Sequence, residues 1–350
     1  MISQGIVLNG LHGIGLTVVC TAIMPGFLGL FTEDPLVIGE GIAYSGIVFL
    51  FATVQTVGVS FEKIFQSVGR MRVSMGCMLL GCIVNIVLDP ILIFGAGPME
   101  GMGVRGAAIA TGIGQAASLG AYVAIFLAKP LPVRLRLTKD GLKGDSYKRI
   151  YMVGIPAALN IGLPSLLITA LNGILAEISQ VYVLILGIYY KLQTFIYLTA
   201  NGIVQGIRPL VGFNYGAGRG DRVKGILKVS LLLGVGIMAF GTAVCMVFPD
   251  RLMGMFSENP VTILEGAKAL RIISCGFVVS AVSVMLSGAF EGLGKGGPSL
   301  VISLIRYLVI IPIAFALRGF FGAEGVWIGF VVTEVMAAVV SALMLRRYFP

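Results

Sequence analysis

An aspartate set just before a proline, inside an otherwise apolar run, is the first residue in this chain with evident chemical capacity. It stands in Asn85-Ile86-Val87-Leu88-Asp89-Pro90. Asn85 and Asp89 are four residues apart, so amide and carboxylate share one helical face. Pro90 has no backbone N–H, which frees the carbonyl of Ile86 as a further oxygen. Carboxylate, amide oxygen and free carbonyl suit a hard cation, and a lone buried carboxylate can equally hold a proton. The bland alternative is an aspartate that only hydrogen-bonds a neighbouring helix at a proline kink. Thr111 follows on the next apolar segment, in Gly103-Val104-Arg105-Gly106-Ala107-Ala108-Ile109-Ala110-Thr111. Small residues let that helix pack closely and bring a hydroxyl within reach of the Asn85/Asp89 face. A threonine in such a helix commonly bonds back to its own backbone instead.

Other polar residues fall in apolar segments and need partners or water there. Lys191 is read near the middle of its helix, in Tyr189-Tyr190-Lys191-Leu192-Gln193, too deep to snorkel easily. Arg306 and Glu334 are candidates for an internal ion pair, with a static structural pair as the plainer reading. Tyr189, Tyr190, Gln193 and the methionines could line an adaptable cavity or be ordinary packing. Glu62 and Glu177 are read as interfacial, near helix ends. The single histidine, His12, and the absence of HExxH or GxSxG motifs argue against a metallo- or serine hydrolase. No enzyme activity and no resident cofactor are expected. The five cysteines, in apolar segments without a metal-type CxxC pair, read as buried thiols.

The elements that must position these residues are membrane helices. Hydrophobic residues make up 57% of the 350 and charged residues 12%. Mean hydropathy is +0.99. Apolar stretches of about 20 residues, enough to cross a bilayer, recur along the chain. They predict ten helices, near 5–31, 36–62, 73–95, 103–128, 151–176, 180–206, 226–249, 264–290, 298–318 and 324–345. Met1-Ile2-Ser3-Gln4 lacks a basic leader, so the first segment reads as a membrane helix. The net charge of +9 is not a nucleic-acid signal, because cations and acids alternate between loops. Lys63, Arg70, Arg72, the Lys129–Arg149 cluster, Arg208, Arg219, Lys295 and Arg346 fall on one side. Glu33, Asp34, Glu100, Asp250, Glu258 and Glu324 fall on the other. Retention of cations on the inner face predicts a multi-pass protein of the plasma (inner) membrane with both termini cytoplasmic.

The chain also repeats itself. At an offset of 225, Gly29-Leu30-Phe31-Thr32-Glu33-Asp34-Pro35 matches Gly254-Met255-Phe256-Ser257-Glu258-Asn259-Pro260, Glu40-Gly41 matches Glu265-Gly266, and Phe65 and Gly69 match Phe290 and Gly294. A three-residue deletion then sets Pro90 on Pro312, Gly103-Val104 on Gly325-Val326 and Thr111 on Thr333. Matching polar turns in register mark a true repeat. Equal loop charge makes it a parallel one. The reading is therefore an all-α polytopic membrane protein in two lobes: residues 1–128 with four helices, a basic linker 129–150, and residues 151–350 with six. Residues 151–225 have no counterpart in the first half, so two helices are expected to be missing before Met1, from a complete fold of six plus six.

The stretch from Asn85 to Pro90 with Gly103 to Thr111 resembles the fifth and sixth helices of the multidrug and toxic compound extrusion (MATE) family. Lys191-Leu192-Gln193, Arg208-Pro209-Leu210-Val211-Gly212-Phe213-Asn214-Tyr215-Gly216 and Gly288-Ala289-Phe290-Glu291-Gly292-Leu293-Gly294 resemble its eighth and tenth. The resemblance implies a twelve-helix antiporter that exports organic cations, drugs or other amphiphiles against inward Na⁺ or H⁺. It implies a coupling-ion site at Asp89, Asn85 and Thr111. Acidic residues used by some members in the other lobe are replaced by Pro164 and Ser280, so no second cation site is expected there. The expected partners are membrane lipid and small cationic or amphiphilic substrates, with no nucleic acid and the chain a monomer. Two alternatives stay open: a lipid-linked saccharide flippase of the same superfamily, which should have a basic cavity, and an inactive truncated paralogue.

Overall fold

In lipid, an apolar segment must satisfy its backbone internally, and helices do so within one segment. The computed structural model of the chain describes residues 2–30, 32–96, 99–128, 131 and 144–348. It divides into two compact units, Met1–Lys148 and Arg149–Pro350. The first holds α1 (Ile2–Gly29), α2 (Pro35–Leu50), α3 (Ala52–Ser67), α4 (Met71–Phe94), a two-stranded antiparallel hairpin of β1 (Gly95–Ala96) and β2 (Met99–Glu100), and α5 (Gly103–Ala128). Next come α6 (Gly144–Ala176), whose first turn precedes the division, α7 (Gln180–Gly216), α8 (Gly220–Val247) and the short α9 (Pro249–Gly254). The chain closes with α10 (Pro260–Ser274), α11 (Phe277–Gly292), α12 (Gly296–Leu304), a π-helical turn at Ile305–Val309 and α13 (Ile310–Tyr348).

Seven helical stretches are long and apolar enough to cross a membrane alone. Two bent pairs add two more, α2 with α3 at 41° and α10 with α11 at 52°. The last stretch, Gly296–Arg347, holds two helices joined across Gly322, whose φ is 58°. That gives ten spans among the described residues, as the hydrophobic pattern predicts. Helix ends differ more. The predicted 180–206 helix runs on through Arg208 and Pro209 to Gly216. The predicted 151–176 helix starts at Gly144. Of the expected linker, residues 129, 130 and 132–143 lie outside the described residues.

The repeat appears in three dimensions at the level of single hydrogen bonds. Asp34 caps α2 by accepting from the backbone N–H of Leu36, and Asn259 caps α10 by accepting from that of Val261, each just before a proline at the first helical position. The Thr17 hydroxyl donates to the carbonyl of Phe49 (2.6 Å), and that of Thr242 to the carbonyl of Ser274 (2.9 Å). Both carbonyls lie where a bent helix breaks and the regular ladder of backbone hydrogen bonds is disturbed, and the hydroxyl gives each a side-chain donor. Gly69 (φ 78°) and Gly294 (φ 72°) end α3 and α11 in the left-handed conformation.

Past α4 the structure corrects the sequence register. A β-carbon on Gly106 would collide with the carbonyl oxygen of Leu92, and one on Gly325 with that of Leu317. Gly103 (φ 56°) and Gly322 (φ 58°) open the two final helices three residues earlier. The offset of 225 therefore holds through Leu92 and Leu317 and becomes 219 beyond the connecting loop. Gly103 pairs with Gly322 instead of Gly325, and neither Thr111 with Thr333 nor Pro90 with Pro312 is an equivalent pair. The difference lies in the connection containing β1 and β2, where a loop can change length without disturbing buried backbone. Within each unit the first repeat helix (α1 or α8) packs on both arms of the bent pair, which in turn packs on the last helix (α5 or α13). The second unit buries the larger core, around Leu171, Leu186, Tyr189, Met285 and Trp327, whereas the first clusters around Phe61, Phe65 and Tyr122.

Candidate functional site

In the first unit α4 and α5 cross backbone to backbone. A β-carbon on Gly81 would stand 2.8 Å from the carbonyl oxygen of Gly114, and one on Gly114 would stand 2.7 Å from that of Gly81. Such contact is open only to residues without side chains. It brings Asn85 and Thr111 to the wall of one cavity of about 260 Å³, shared with Gln55, Glu62, Gln115 and Tyr122. Asn85 Nδ2 donates to Asp89 Oδ1 at 3.3 Å, so the expected i, i+4 pair forms on α4. The Thr111 hydroxyl donates to its own helix at Ala107 (2.9 Å). The helix passes through Pro90 without a break, and Asp89 lies about 8 Å short of its end at 1.5 Å per residue. Among the described residues no cationic side chain pairs with Asp89. Glu62 bonds Lys63 (2.9 Å) and Gln66 (2.7 Å) while facing the cavity.

The second unit contains two polar clusters bordering cavities of about 380 and 420 Å³. In one, Arg306 Nε reaches both oxygens of Glu334 at 3.0 Å and its Nη2 reaches Oε1 at 2.8 Å. This fork geometry is the strong form of an arginine–carboxylate pair. Ser283 adds a long hydrogen bond to Glu334 Oε2 (3.4 Å), and Tyr197 shares one with Ser280 (2.7 Å). In the other, Glu291 takes Arg208, Asn160 (3.2 Å) and Ser299 (2.8 Å), and Ser299 meets Ser287 at 2.7 Å. Arg306, Tyr307, Asn201 and Pro164 border both cavities.

The residues singled out in the sequence separate accordingly. Asn85 and Asp89 bond to each other on α4, Asn85 and Thr111 share a cavity whose lining does not include Asp89, and Arg306 with Glu334 forms an ion pair. Tyr190 and Gln193 line the 380 Å³ cavity. Tyr189 does not: at 2% exposure it packs against Tyr190, Phe277 and Phe330 in the core. Lys191 is exposed, borders neither cavity, and lies 5.7 Å from the ring of Phe256. Lys191, expected near the middle of its helix, stands in the first third of α7 because the helix runs on to Gly216. Glu177, read as interfacial, pairs with Arg318 at 2.6 Å. The Glu291 cluster was missed, although the repeat contained its signal. Glu291 and Ser299 stand 225 residues beyond Gln66 and Ser74, which themselves bond at 3.3 Å.

Comparison with known proteins identifies the family of this fold. The MatE family model matches residues 1–91 and 156–316. Multidrug export protein MepA of Staphylococcus saprophyticus subsp. saprophyticus is 26% identical over 329 residues, 94% of this chain and 71% of that protein. MepA of Staphylococcus aureus (strain NCTC 8325 / PS 47) is 26% identical over 305 residues, 86% of this chain and 66% of that protein. The chain thus spans about two thirds of the length of these curated relatives. A multidrug resistance MATE family transporter of the MOP superfamily, solved in an outward-facing conformation, matches with a TM-score of 0.88 at 23% identity, over 99% of this chain and 78% of that one. A MOP superfamily transporter from Pyrococcus furiosus matches with the same score and coverage at 22% identity. At these identities the solved structures speak for the fold alone. The family model covers most of the chain, and the chain belongs to the MatE family of multidrug and toxic compound extrusion transporters.

Proposed function

We propose that this chain takes part in cation-coupled export of amphiphilic or cationic organic compounds, with Na⁺ or H⁺ taken up at Asp89. The observation that carries the reading is the state of that carboxylate. It sits within a membrane-spanning helix, without a cationic partner among the described residues, and is bonded to the amide of Asn85, which lines a cavity together with Thr111. A carboxylate so placed gains by taking up a cation or a proton. Asn85 orients it, and the Thr111 hydroxyl offers a further oxygen from α5. Reciprocal coupling then requires that ion and substrate stabilise different conformations, so that ion uptake from outside lowers affinity for the exported compound.

The names of the MepA relatives support multidrug export as the transport direction and class. The alternation of loop charge supports plasma-membrane placement with both termini cytoplasmic, and the chain is taken to act as a monomer. A lipid-linked saccharide flippase is less well supported. Lys191 stands apart from Arg306, and both arginines at the second unit's cavities are already paired with glutamate. The test is ethidium accumulation in an efflux-deficient host under imposed Na⁺ and H⁺ gradients, with Asp89→Asn alongside. Lower accumulation that needs one gradient and disappears in the variant is expected. Gradient-driven efflux unchanged in Asp89→Asn would remove Asp89 from the mechanism, and no efflux in either form would favour the inactive-paralogue reading.

A further inference from the structure

The surroundings of Glu334 have the composition of a receptor for a planar cation. Its carboxylate faces Arg306 in the two-pronged geometry described above, with Ser283 behind one oxygen. The guanidinium carbon of Arg306 lies 6.0 Å from the ring centre of Tyr197 and 5.4 Å from that of Tyr307. A carboxylate flanked by electron-rich ring faces is what a guanidinium or amidinium ion seeks, the first for charge and paired hydrogen bonds, the second for attraction to the ring quadrupole. The side chains of Arg306 and Glu334 are 11% and 14% exposed, so the contact is largely removed from solvent. Arg306 lines two cavities, and Glu334 lines one of them with it. The repeat frame does not require an arginine here: the position 225 residues earlier is Gly81, where α4 and α5 cross with no side chain at all.

We propose that Glu334, Tyr197 and Tyr307 form a binding site for planar organic monocations of the guanidinium or amidinium type, and that the chain's own Arg306 occupies it. In the unmodified protein such a cation can enter only by exchanging with Arg306, gaining no new charge pairing. Arg306 is thereby a specificity-determining residue that closes this site to cations of the guanidinium or amidinium type. The proposal is independent of ion coupling at Asp89, since it concerns equilibrium binding within the second unit.

The test uses purified full-length protein in detergent. Thermal unfolding is followed through Trp327, the single tryptophan, which lies in the core cluster with Tyr189 and Phe330. Methylguanidinium and benzamidinium chloride are the probes, with sodium and tetramethylammonium chloride at equal ionic strength as controls. Arg306→Ala should unfold at lower temperature than the unmodified protein and be raised saturably by methylguanidinium. Half the effect should be reached at a concentration at least about tenfold below that for any shift in the unmodified protein. Arg306→Ala/Glu334→Gln should lose this response. A response in Arg306→Ala equal to that of the unmodified protein, equal to that given by sodium, or retained after Glu334→Gln would overturn the proposal. If Arg306→Ala is not recovered folded, Arg306→Lys decides. It leaves half of the fork open and should show the same order of ligands with smaller shifts; no shift there is also an overturning result.

Discussion

The two units build the same crossing from opposite materials. In the first, Gly81 lets α4 meet α5 at backbone distance, and further along α4 the carboxylate of Asp89 has, among the described residues, an amide as partner. In the second, the position equivalent to Gly81 is Arg306. Position 115, a glutamine, has Glu334 as its equivalent at the shorter offset, and the helices are joined by an ion pair. Glu291 and Arg208 repeat the theme nearer the other end of α11. Among the described residues, one frame thus leaves its carboxylate bonded to an amide, and the other pairs its carboxylates with arginines of the same chain. Hydrogen bonding and helix caps are shared, so the contrast comes from a few side chains set in a common backbone.

The sharpest way to break this comparison is to remove one member of the second unit's pair. Arg306→Met leaves Glu334 without its partner and should cost about 3–5 kcal/mol, whereas Arg306→Met/Glu334→Met should recover most of that. Denaturant unfolding in micelles distinguishes them, and a double variant as unstable as the single one would show that packing, not charge, dominates. In the first unit Gly81→Leu should cost about 3 kcal/mol by driving α4 from α5. A loss below a few tenths would mean that the glycine contact is not tight. Gly106→Ala and Gly325→Ala each set a methyl against the preceding carbonyl, of Leu92 or Leu317, and should destabilise to similar extents, about 1–2 kcal/mol. Similar losses uphold the corrected register, and a large loss at one site alone would sink it. Smallest are Thr17→Val and Thr242→Val, which remove matching hydroxyl–carbonyl bonds at about 0.6 kcal/mol each. Backbone amide exchange at the adjoining helix breaks should rise in both.

Much of this was legible in the sequence where polarity interrupts hydrophobicity. Asp34-Pro35 and Asn259-Pro260 announce their caps, and Arg306 with Glu334 stands out because ionisable groups in apolar segments are expensive. The Asn85/Asp89 pair follows from helical spacing alone. What escaped had no such contrast. Asn160, Ser287 and Ser299 look like ordinary helix residues, and only three-dimensional packing gathers them about Glu291. The end of α7 was misplaced because hydropathy marks where lipid stops, while hydrogen bonding carried the helix to Gly216. The register beyond α4 slipped because a change in loop length leaves no mark on the apolar segments either side of it.

The match between the Gln66–Ser74 bond and the Glu291–Ser299 bond has an evolutionary reading. Glutamine and glutamate codons differ at a single base, and the two side chains differ by an amide nitrogen in place of a carboxylate oxygen. A descendant of one ancestral segment could thus acquire a buried charge in one mutational step, with its serine partner already in position. The backbone would need no invention. Once an arginine arrived to meet the new carboxylate, two copies of one gene segment could follow separate careers, one keeping a neutral contact and the other having made its counter-ion hereditary.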